Sequence, residues 1–299
     1  MFKMKGVVPP MVTPFTENGE VDYSGLATLV EFLRERVDGL FITGSYGAGA
    51  LMSTEERKRV AEITVKAVDD MIPVIVMVGS TNTRASVELT RHAKSIGAQA
   101  VAAIGPYYFS HNDDSICQFF SDLIRAGNNE LPIYVYNNPK FQGYPMSLDL
   151  LKRLKNAGVY GVKDATFDIL VHSTYNRVLK DDDFDVVLGT EAMWLPACAL
   201  GTEAFIPGLG NAFPEICKTM YLQGMAGDYG KCRETQFEVN RLREIMYLAS
   251  STQLAIYAML EIRGIIRAYP RAPFIPATAD EKRAIKQSLA ECKSITIQV

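Results

Sequence analysis

The stretch YGVKDATFD, from Tyr160 to Asp168, has the pattern of a short apolar strand that ends on a lysine. Strands that are buried on both faces are almost wholly apolar, so a lysine at this position needs an explanation. Successive side chains of a strand point to opposite faces, so Lys163 and Asp164 face opposite ways and do not form a simple pair. The stretch therefore predicts an amine at the inner end of a buried strand.

Seven similar runs alternate with longer segments of helical period, which is typical of βαβ units around a parallel sheet. With the run at 160–164 they make eight, the other seven lying at 6–12, 39–43, 73–79, 100–104, 132–137, 184–189 and 203–208. Eight strands in 299 residues predict one α/β domain, a (β/α)8 TIM barrel. A doubly wound sheet, which usually has fewer strands, is the alternative.

The C-terminal part of the chain is helical in pattern and longer than one barrel helix requires. We expect residues 1–213 to hold the strands and helices of the barrel. Residues 214–299 would form its last helix and a C-terminal helical extension of the same single domain.

Composition argues against several classes of partner. The formal net charge is -3 without a basic run, which argues against nucleic-acid binding. No apolar stretch approaches the roughly 18 residues of a membrane span, and an early Pro pair makes the first residues a poor secretory signal, so we predict a cytoplasmic protein. The five scattered cysteines predict reduced thiols, and the three histidines lack metal spacing, so we predict no metal site.

In a barrel of this kind the active site lies where the strands end. Burial of Lys163 would lower its pKa and yield the neutral amine that forms a Schiff base with a carbonyl compound; the alternative is a lysine whose ammonium reaches solvent. Tyr136 occupies the level of the neighbouring strand that matches Lys163, and a phenol can shuttle protons when another hydroxyl relays to it. Ser45, Tyr107 and Tyr108 could supply that hydroxyl, although each tyrosine taken alone is more often a packing residue.

The loop TGSYGAG at 43–49 places three glycines between a strand and a helix. Such a loop can present backbone N–H groups to an anion, and Ser45 adds a hydroxyl. The spacing is neither that of a dinucleotide fingerprint nor that of a P-loop, so a small carboxylate is the better candidate. The alternative is a tight turn that binds nothing.

Five motifs in combination give the chain a resemblance to a known family: VTPF at 12–15, GSYGA at 44–48, PYY at 106–108, YNNP at 136–139 and GVKDAT at 161–166. From Gly6 to about Pro214 it resembles the pyruvate-dependent class I aldolases and lyases typified by N-acetylneuraminate lyase, dihydrodipicolinate synthase and 2-keto-3-deoxy sugar acid aldolase. The resemblance implies a cofactor-independent, tetrameric enzyme that reversibly joins pyruvate to an aldehyde to give a 2-oxo acid.

The resemblance also implies roles for individual residues. Lys163 would form the Schiff base, Tyr136 would move protons, and Ser45 with Tyr108 would relay them, Tyr108 reaching a neighbouring subunit's site. The implied substrate-binding residues, which hold the carboxylate, the hydroxyl chain or the floor of the site, are Tyr46, Gly47, Gly189, Glu191, Ile206 and Gly208.

Departures from the family pattern bear on the substrate. Phe141 stands where dihydrodipicolinate synthases place an arginine for the second substrate's carboxylate, Ala48 replaces the usual glutamate of the loop, and Tyr46 is bulkier than the usual residue. The GVKD form is similar to that of archaeal-type keto-deoxy sugar acid aldolases, so we predict a 2-keto-3-deoxy sugar acid aldolase.

Several alternatives stay open. Within the family they are 4-hydroxy-tetrahydrodipicolinate synthase, N-acetylneuraminate lyase, and a hydratase-aldolase with a flat apolar pocket formed by Tyr46, Phe141 and Trp194. From a different class, a non-catalytic sensor of 2-oxo acids is the alternative.

Overall fold

The computed structural model of the protein describes residues 2–292, and in them eight parallel strands alternate with helices as predicted. The strands are β1 Gly6–Val7, β2 Leu40–Ile42, β3 Val74–Met77, β4 Ala100–Ile104, β5 Ile133–Asn137, β6 Gly161–Asp164, β7 Asp185–Leu188 and β8 Ala204–Phe205. The helices are α1 Tyr23–Arg34, α2 Thr54–Val68, α3 Thr83–Ser95, α4 Asp113–Ala126, α5 Pro139–Gln142, α6 Leu148–Asn156, α7 Ile169–Val178, α8 Trp194–Ala199, α9 Pro214–Met225, α10 Tyr229–Met246, α11 Thr252–Ile262 and α12 Ala279–Ala290. The fold is the TIM barrel with additional C-terminal helices.

The barrel closes between β1 and β2 through residues 9–11, which lie just beyond the regular part of β1. Each strand pairs with the next from β2 to β8, and β8 pairs with β1. Between β1 and β2, Phe41 N donates to Pro9 O at 3.1 Å and Met11 N donates to Phe41 O at 2.9 Å. The predicted first strand at 6–12 is regular only at its start, because Pro9 and Pro10 have no N–H for a ladder.

Several helices begin at a residue whose side chain caps the first turn. Ser53 accepts from Glu56 N, and the Glu56 carboxylate accepts in return from Ser53 N, so α2 begins with a capping box. Asn138 and Asp168 cap α5 and α7 at the ends of the loops after β5 and β6. These caps fix the loops that surround the barrel mouth.

The barrel interior is built in layers, and Lys163 belongs to the upper one. Tyr134, Gly161 and Asp185 lie side by side in the lower layer, where the Tyr134 hydroxyl donates to Asp185 Oδ2 at 2.9 Å. A side chain at Gly161 would meet the Tyr134 ring, since its Cβ would lie 2.6 Å from that ring. One layer closer to the C-terminal ends of the strands, Lys163 pairs with Tyr136 on one side. The lower layer is therefore a packed floor beneath the lysine.

The C-terminal helices reach back to the barrel mouth. Eight residues of α11, from Gln253 to Leu260, are buried. The Tyr257 hydroxyl donates to Thr13 O at 2.7 Å, and Gln253 Nε2 donates to Tyr46 O at 2.8 Å. Residues more than 200 positions apart in the chain thus hold the loops after β1 and β2.

Two further predictions can be compared with the fold. All five cysteines are unpaired in the structure, and their reduced state stays a prediction. Among residues 2–292, no helix has both the length and the apolar character that crossing a membrane requires.

Candidate active site

Lys163 lies inside the barrel, and its amine has only aromatic neighbours. Nζ is 4.0 Å from the centroid of the Phe41 ring and 4.0 Å from that of the Tyr136 ring, and the residue is 4% exposed. No acceptor or carboxylate of the described chain bonds to Nζ. Burial without such a partner disfavours the ammonium form and lowers the pKa of Lys163 to about 7. A large share of the side chain is therefore a neutral nucleophile near neutral pH.

Tyr136 presents its phenol at the same level of the barrel. The Tyr136 oxygen accepts a hydrogen bond from Asn138 Nδ2 at 3.0 Å and lies 3.4 Å from Ser45 Oγ. Burial raises the pKa of Tyr136, while the hydrogen bonds from Ser45 and Asn138 oppose that rise. The structure thus brings together Lys163, Tyr136 and Ser45, three of the four residues predicted to be catalytic.

The fourth, Tyr108, lies apart from them. Its side chain is 85% exposed and packs edge-to-face on Phe109, with ring centroids 4.9 Å apart. Its backbone has φ +80°, a left-handed conformation that non-glycine residues rarely adopt. Within one chain Tyr108 makes no hydrogen bond to Ser45 or Tyr136. A relay role for Tyr108 therefore stays a prediction.

The glycine-rich loop leaves backbone donors free. A side chain at Gly49 would collide with Thr43 O, which lies 1.9 Å from the Cβ position, so this tight turn requires glycine. Ala48 N and Gly49 N donate within the loop, to Ser45 O and Gly44 O. Among the described residues, no acceptor bonds to the backbone N–H of Tyr46 or Gly47. Anion binding by these two N–H groups, which the sequence predicts for this loop, stays a prediction.

The Tyr46 side chain points to the C-terminal helices. Its hydroxyl donates to Thr252 Oγ1 at 3.0 Å, and burial raises its pKa. A Cβ at Gly208 would lie 2.5 Å from the Tyr46 oxygen, so glycine at 208 makes room for the phenol. The Tyr46 side chain therefore connects the loop to α11, and only its backbone N–H is left for the predicted contact with a substrate.

Glu191 is buried and its carboxylate already has partners. Oε2 accepts from Gly208 N at 3.1 Å, and Oε1 accepts from Leu209 N and from Arg243 at 2.8 Å. Glu191, in the loop after β7, thus connects the loop after β8 to Arg243 of α10. Contact between Glu191 and a substrate hydroxyl stays a prediction, because it would require one of these bonds to be exchanged.

The remaining predicted substrate-binding residues lie at the ends of β7 and β8. Gly189 allows close approach of two strands, since its Cβ would lie 2.5 Å from Asp164 O. Ile206 is buried in the interior cluster that also holds Phe41 and Tyr136. Both positions are apolar surfaces without a polar side chain.

Asp164 faces away from the barrel interior, as the alternation of the strand predicted. Its Oδ1 accepts from Thr166 N and from the Thr166 hydroxyl at 2.7 Å, and its Oδ2 lies 2.9 Å from His172 Nδ1. The other ring nitrogen of His172 is 2.8 Å from the Thr202 hydroxyl. This gives Thr166, the last residue of the GVKDAT motif, a role in holding the loop after β6.

Sequence reasoning missed three contacts and misplaced one residue. It did not find Phe41 against Lys163, Asn138 on Tyr136 or Arg243 on Glu191; only Phe41 had a local signal, an aromatic side chain in an interior strand. The hypothesis that Trp194 lines the pocket is wrong. Trp194 is fully buried and stacks on Phe205, and its indole N–H donates to Met220 O at 3.1 Å.

Comparison with known proteins agrees with this geometry. Residues 3–292 match the model of the dihydrodipicolinate synthetase family. The chain is 33% identical over 278 residues to a 4-hydroxy-tetrahydrodipicolinate synthase from Phenylobacterium zucineum, covering 92% of each chain. It is 28% identical over 293 residues to one from Archaeoglobus fulgidus, covering 98% of this chain and 99% of the relative.

Solved structures of related proteins have the same fold over nearly their whole length. YagE, a prophage protein of the dihydrodipicolinic acid synthase family from E. coli K12 solved in complex with pyruvate, has a TM-score of 0.93 at 26% identity, covering 98% of this chain and 99% of its own. KD(P)GA from T. tenax has a TM-score of 0.88 at 28% identity, covering 97% and 99%. A Ruminococcus gnavus sialic acid aldolase has a TM-score of 0.90 at 26% identity, covering 96% of both chains. The chain belongs to the dihydrodipicolinate synthetase family of class I pyruvate aldolases, carbon–carbon lyases that act through a lysine Schiff base.

Proposed function

We propose that this protein joins pyruvate reversibly to an aldehyde, with Lys163 as the Schiff-base lysine. The observation that carries the proposal is the buried Lys163 amine, which lacks any hydrogen-bond partner in residues 2–292 and lies 4.0 Å from the Tyr136 ring. A neutral amine at this position attacks a ketone, and the protonated imine that results withdraws electrons from the adjacent carbon. That electron sink allows carbon–carbon bond formation or cleavage without a cofactor.

In this reaction the loop after β2 binds the substrate, and Lys163 and Tyr136 carry out the bond and proton chemistry. The free N–H groups of Tyr46 and Gly47 bind the 2-oxo acid carboxylate, and Lys163 Nζ attacks C2. Tyr136 donates a proton to the carbinolamine hydroxyl, which leaves as water. The phenolate then takes a proton from C3 of the imine to give the enamine, and it returns that proton to the aldehyde oxygen when the carbon–carbon bond forms. Ser45 is the hydroxyl through which that proton passes.

Reductive trapping tests the proposal. Incubation with pyruvate and borohydride should add the mass of one reduced pyruvyl group, and peptide mapping should place it on Lys163. Lys163→Ala should abolish the adduct, while Lys152→Ala, which changes a surface lysine, should not. Folded wild-type protein without an adduct would refute the mechanism. A non-catalytic sensor would instead bind pyruvate equally well with Lys163→Ala.

The aldehyde partner has two candidates. The curated relatives are named 4-hydroxy-tetrahydrodipicolinate synthase, which favours aspartate semialdehyde as the aldehyde. These names give less support to the sugar acid aldolase predicted from the sequence. Phe141 supports the sugar acid aldolase. It is 51% exposed, and it stands where synthases are expected to carry an arginine. A competition assay decides: pyruvate is offered with equimolar aspartate semialdehyde and glyceraldehyde, and the products are quantified by mass.

Tyr108 does not reach the site of its own chain, so a second copy of the chain is needed to use it. We infer that the protein is a homotetramer in which the exposed Tyr108 enters the neighbouring site and completes the relay from Ser45. Hetero-oligomers of Lys163→Ala and Tyr108→Phe chains test this, because exchange of subunits would restore some sites with both residues. Recovery of activity on mixing is expected; a monomer by sedimentation, or no recovery, would contradict it. A cytoplasmic location also stays a prediction.

A further inference from the structure

Asn138, a residue to which the reaction above assigns nothing, lies between β5 and α5 with its amide against the proposed proton shuttle. It follows β5 directly, is 6% exposed and caps α5. Its Oδ1 accepts from Phe141 N at 3.2 Å, and its Nδ2 donates to the Tyr136 oxygen at 3.0 Å. One short side chain thus joins the end of a strand, the start of a helix and the phenol.

The chemistry of these partners fixes the orientation of the amide. A backbone N–H can only donate, so the Asn138 atom that faces Phe141 N must be the carbonyl oxygen. The NH2 group must then face Tyr136, because a flipped amide would place two donors against each other. The Tyr136 oxygen is therefore an acceptor in this contact, whichever way its own proton points.

The donation from Asn138 has a consequence for that proton. Since the phenol accepts from Asn138, its own O–H is free to donate to Ser45 Oγ, 3.4 Å away, or to a substrate oxygen. When Tyr136 gives up the proton, the same amide stabilises the phenolate without moving, because its other end is held by α5. A donor fixed in advance costs no reorganisation when charge develops.

We propose that Asn138 is a positioning residue for the Tyr136 proton: it directs the phenol O–H toward the reacting oxygen and stabilises the phenolate after transfer. The inference rests on the proposed function, in which Tyr136 moves protons during imine formation and carbon–carbon bond chemistry. Without that reaction Asn138 would be a helix cap and nothing more.

Asn138→Asp separates the two roles. Asp and Asn are comparable helix caps, so the oxygen that accepts from Phe141 N is retained. The other oxygen of the new carboxylate cannot donate to the phenol; it accepts the Tyr136 proton instead and turns it away from the substrate. The variant should therefore lose catalysis while it keeps the start of α5.

The test is a double-mutant cycle on Asn138→Asp and Tyr136→Phe, read out as kcat and KM for pyruvate at several pH values. In the wild-type background Asn138→Asp should lower kcat by about 10²-fold, in line with loss of a general acid, with KM changed by less than about threefold. In the Tyr136→Phe background, which has no phenol proton, the same substitution should lower kcat by less than about threefold. Asn112→Asp makes the same change at the cap of α4 and should leave kcat within about twofold.

The possible outcomes are distinguishable. Equal losses of kcat in both backgrounds, or a lowered Tm that accounts for the loss, would overturn the positioning role while leaving the proposed function intact. An Asn138→Asp single variant that keeps the wild-type kcat would overturn the positioning role as well. Wild-type protein that traps no pyruvate would refute the proposed function and this inference together.

Discussion

Lys163 and Asp164 are neighbours in one strand, both buried, and their surroundings are opposite. The carboxylate of Asp164 on the outer face accepts two hydrogen bonds from Thr166 and contacts His172. The amine of Lys163 on the inner face has aromatic rings and no hydrogen-bond partner in the described chain. Burial with partners makes a charged group part of the structure, whereas burial without them makes it reactive.

Removing the amine should have the largest effect on function. Lys163→Met keeps the side-chain length but has no nucleophile, so kcat should fall by roughly 10⁴-fold or more, as for loss of the central residue of other covalent mechanisms. The measurement is product formation by mass with pyruvate and the preferred aldehyde. Residual turnover within tenfold of wild type would show that a different group forms the covalent intermediate.

Removing the carboxylate should have the largest effect on stability. Asp164→Ala leaves His172 and Thr166 without their shared acceptor in a buried site, and the free energy of unfolding should fall by about 3 kcal/mol. Denaturant unfolding followed by circular dichroism measures this. Asp149→Ala removes a surface carboxylate paired with Lys152 and should leave the midpoint unchanged. Equal midpoints for the two variants would mean that the network behind β6 does not support the fold.

The sequence predicted which face of β6 Lys163 and Asp164 each occupy, because the alternation of side chains along a strand is a local property. It also placed Tyr136 beside Lys163, and the register of β5 and β6 confirms that pairing. It could not place Arg243 on Glu191, 52 positions away, or Thr252 on Tyr46, 206 positions away, since these contacts depend on how the C-terminal helices pack. Trp194 was misplaced for a related reason, because no local pattern distinguishes a pocket aromatic from a core one.

The comparison also predicts that the reactive lysine destabilises the fold. Its folded-state pKa of about 7 lies below the ordinary value, so between pH 7 and about 10.5 the unfolded chain holds a proton that the folded one lacks. The free energy of unfolding therefore rises with pH across that window. The destabilisation caused by burying Lys163 is greatest at or below pH 7. Lys163→Met should raise the free energy of unfolding by roughly 2 kcal/mol at pH 7, and the gain should shrink toward pH 10. Denaturant unfolding of both proteins at pH 6, 7, 8.5 and 10 measures the gain; a destabilised variant would mean that Lys163 has partners after all.

The pH dependence of imine formation follows from the same missing partner. Only the neutral amine attacks pyruvate, so below the Lys163 pKa of about 7 the initial rate of cyanoborohydride trapping should fall roughly tenfold per pH unit. Above that pH the rate should level off, because most of the lysine is already neutral. A lysine paired with a carboxylate would keep a pKa near its ordinary value, and its trapping rate would keep rising tenfold per unit to about pH 10. A plateau near neutral pH therefore supports an unpaired Lys163, and a continued rise would show that a carboxylate reaches it in solution.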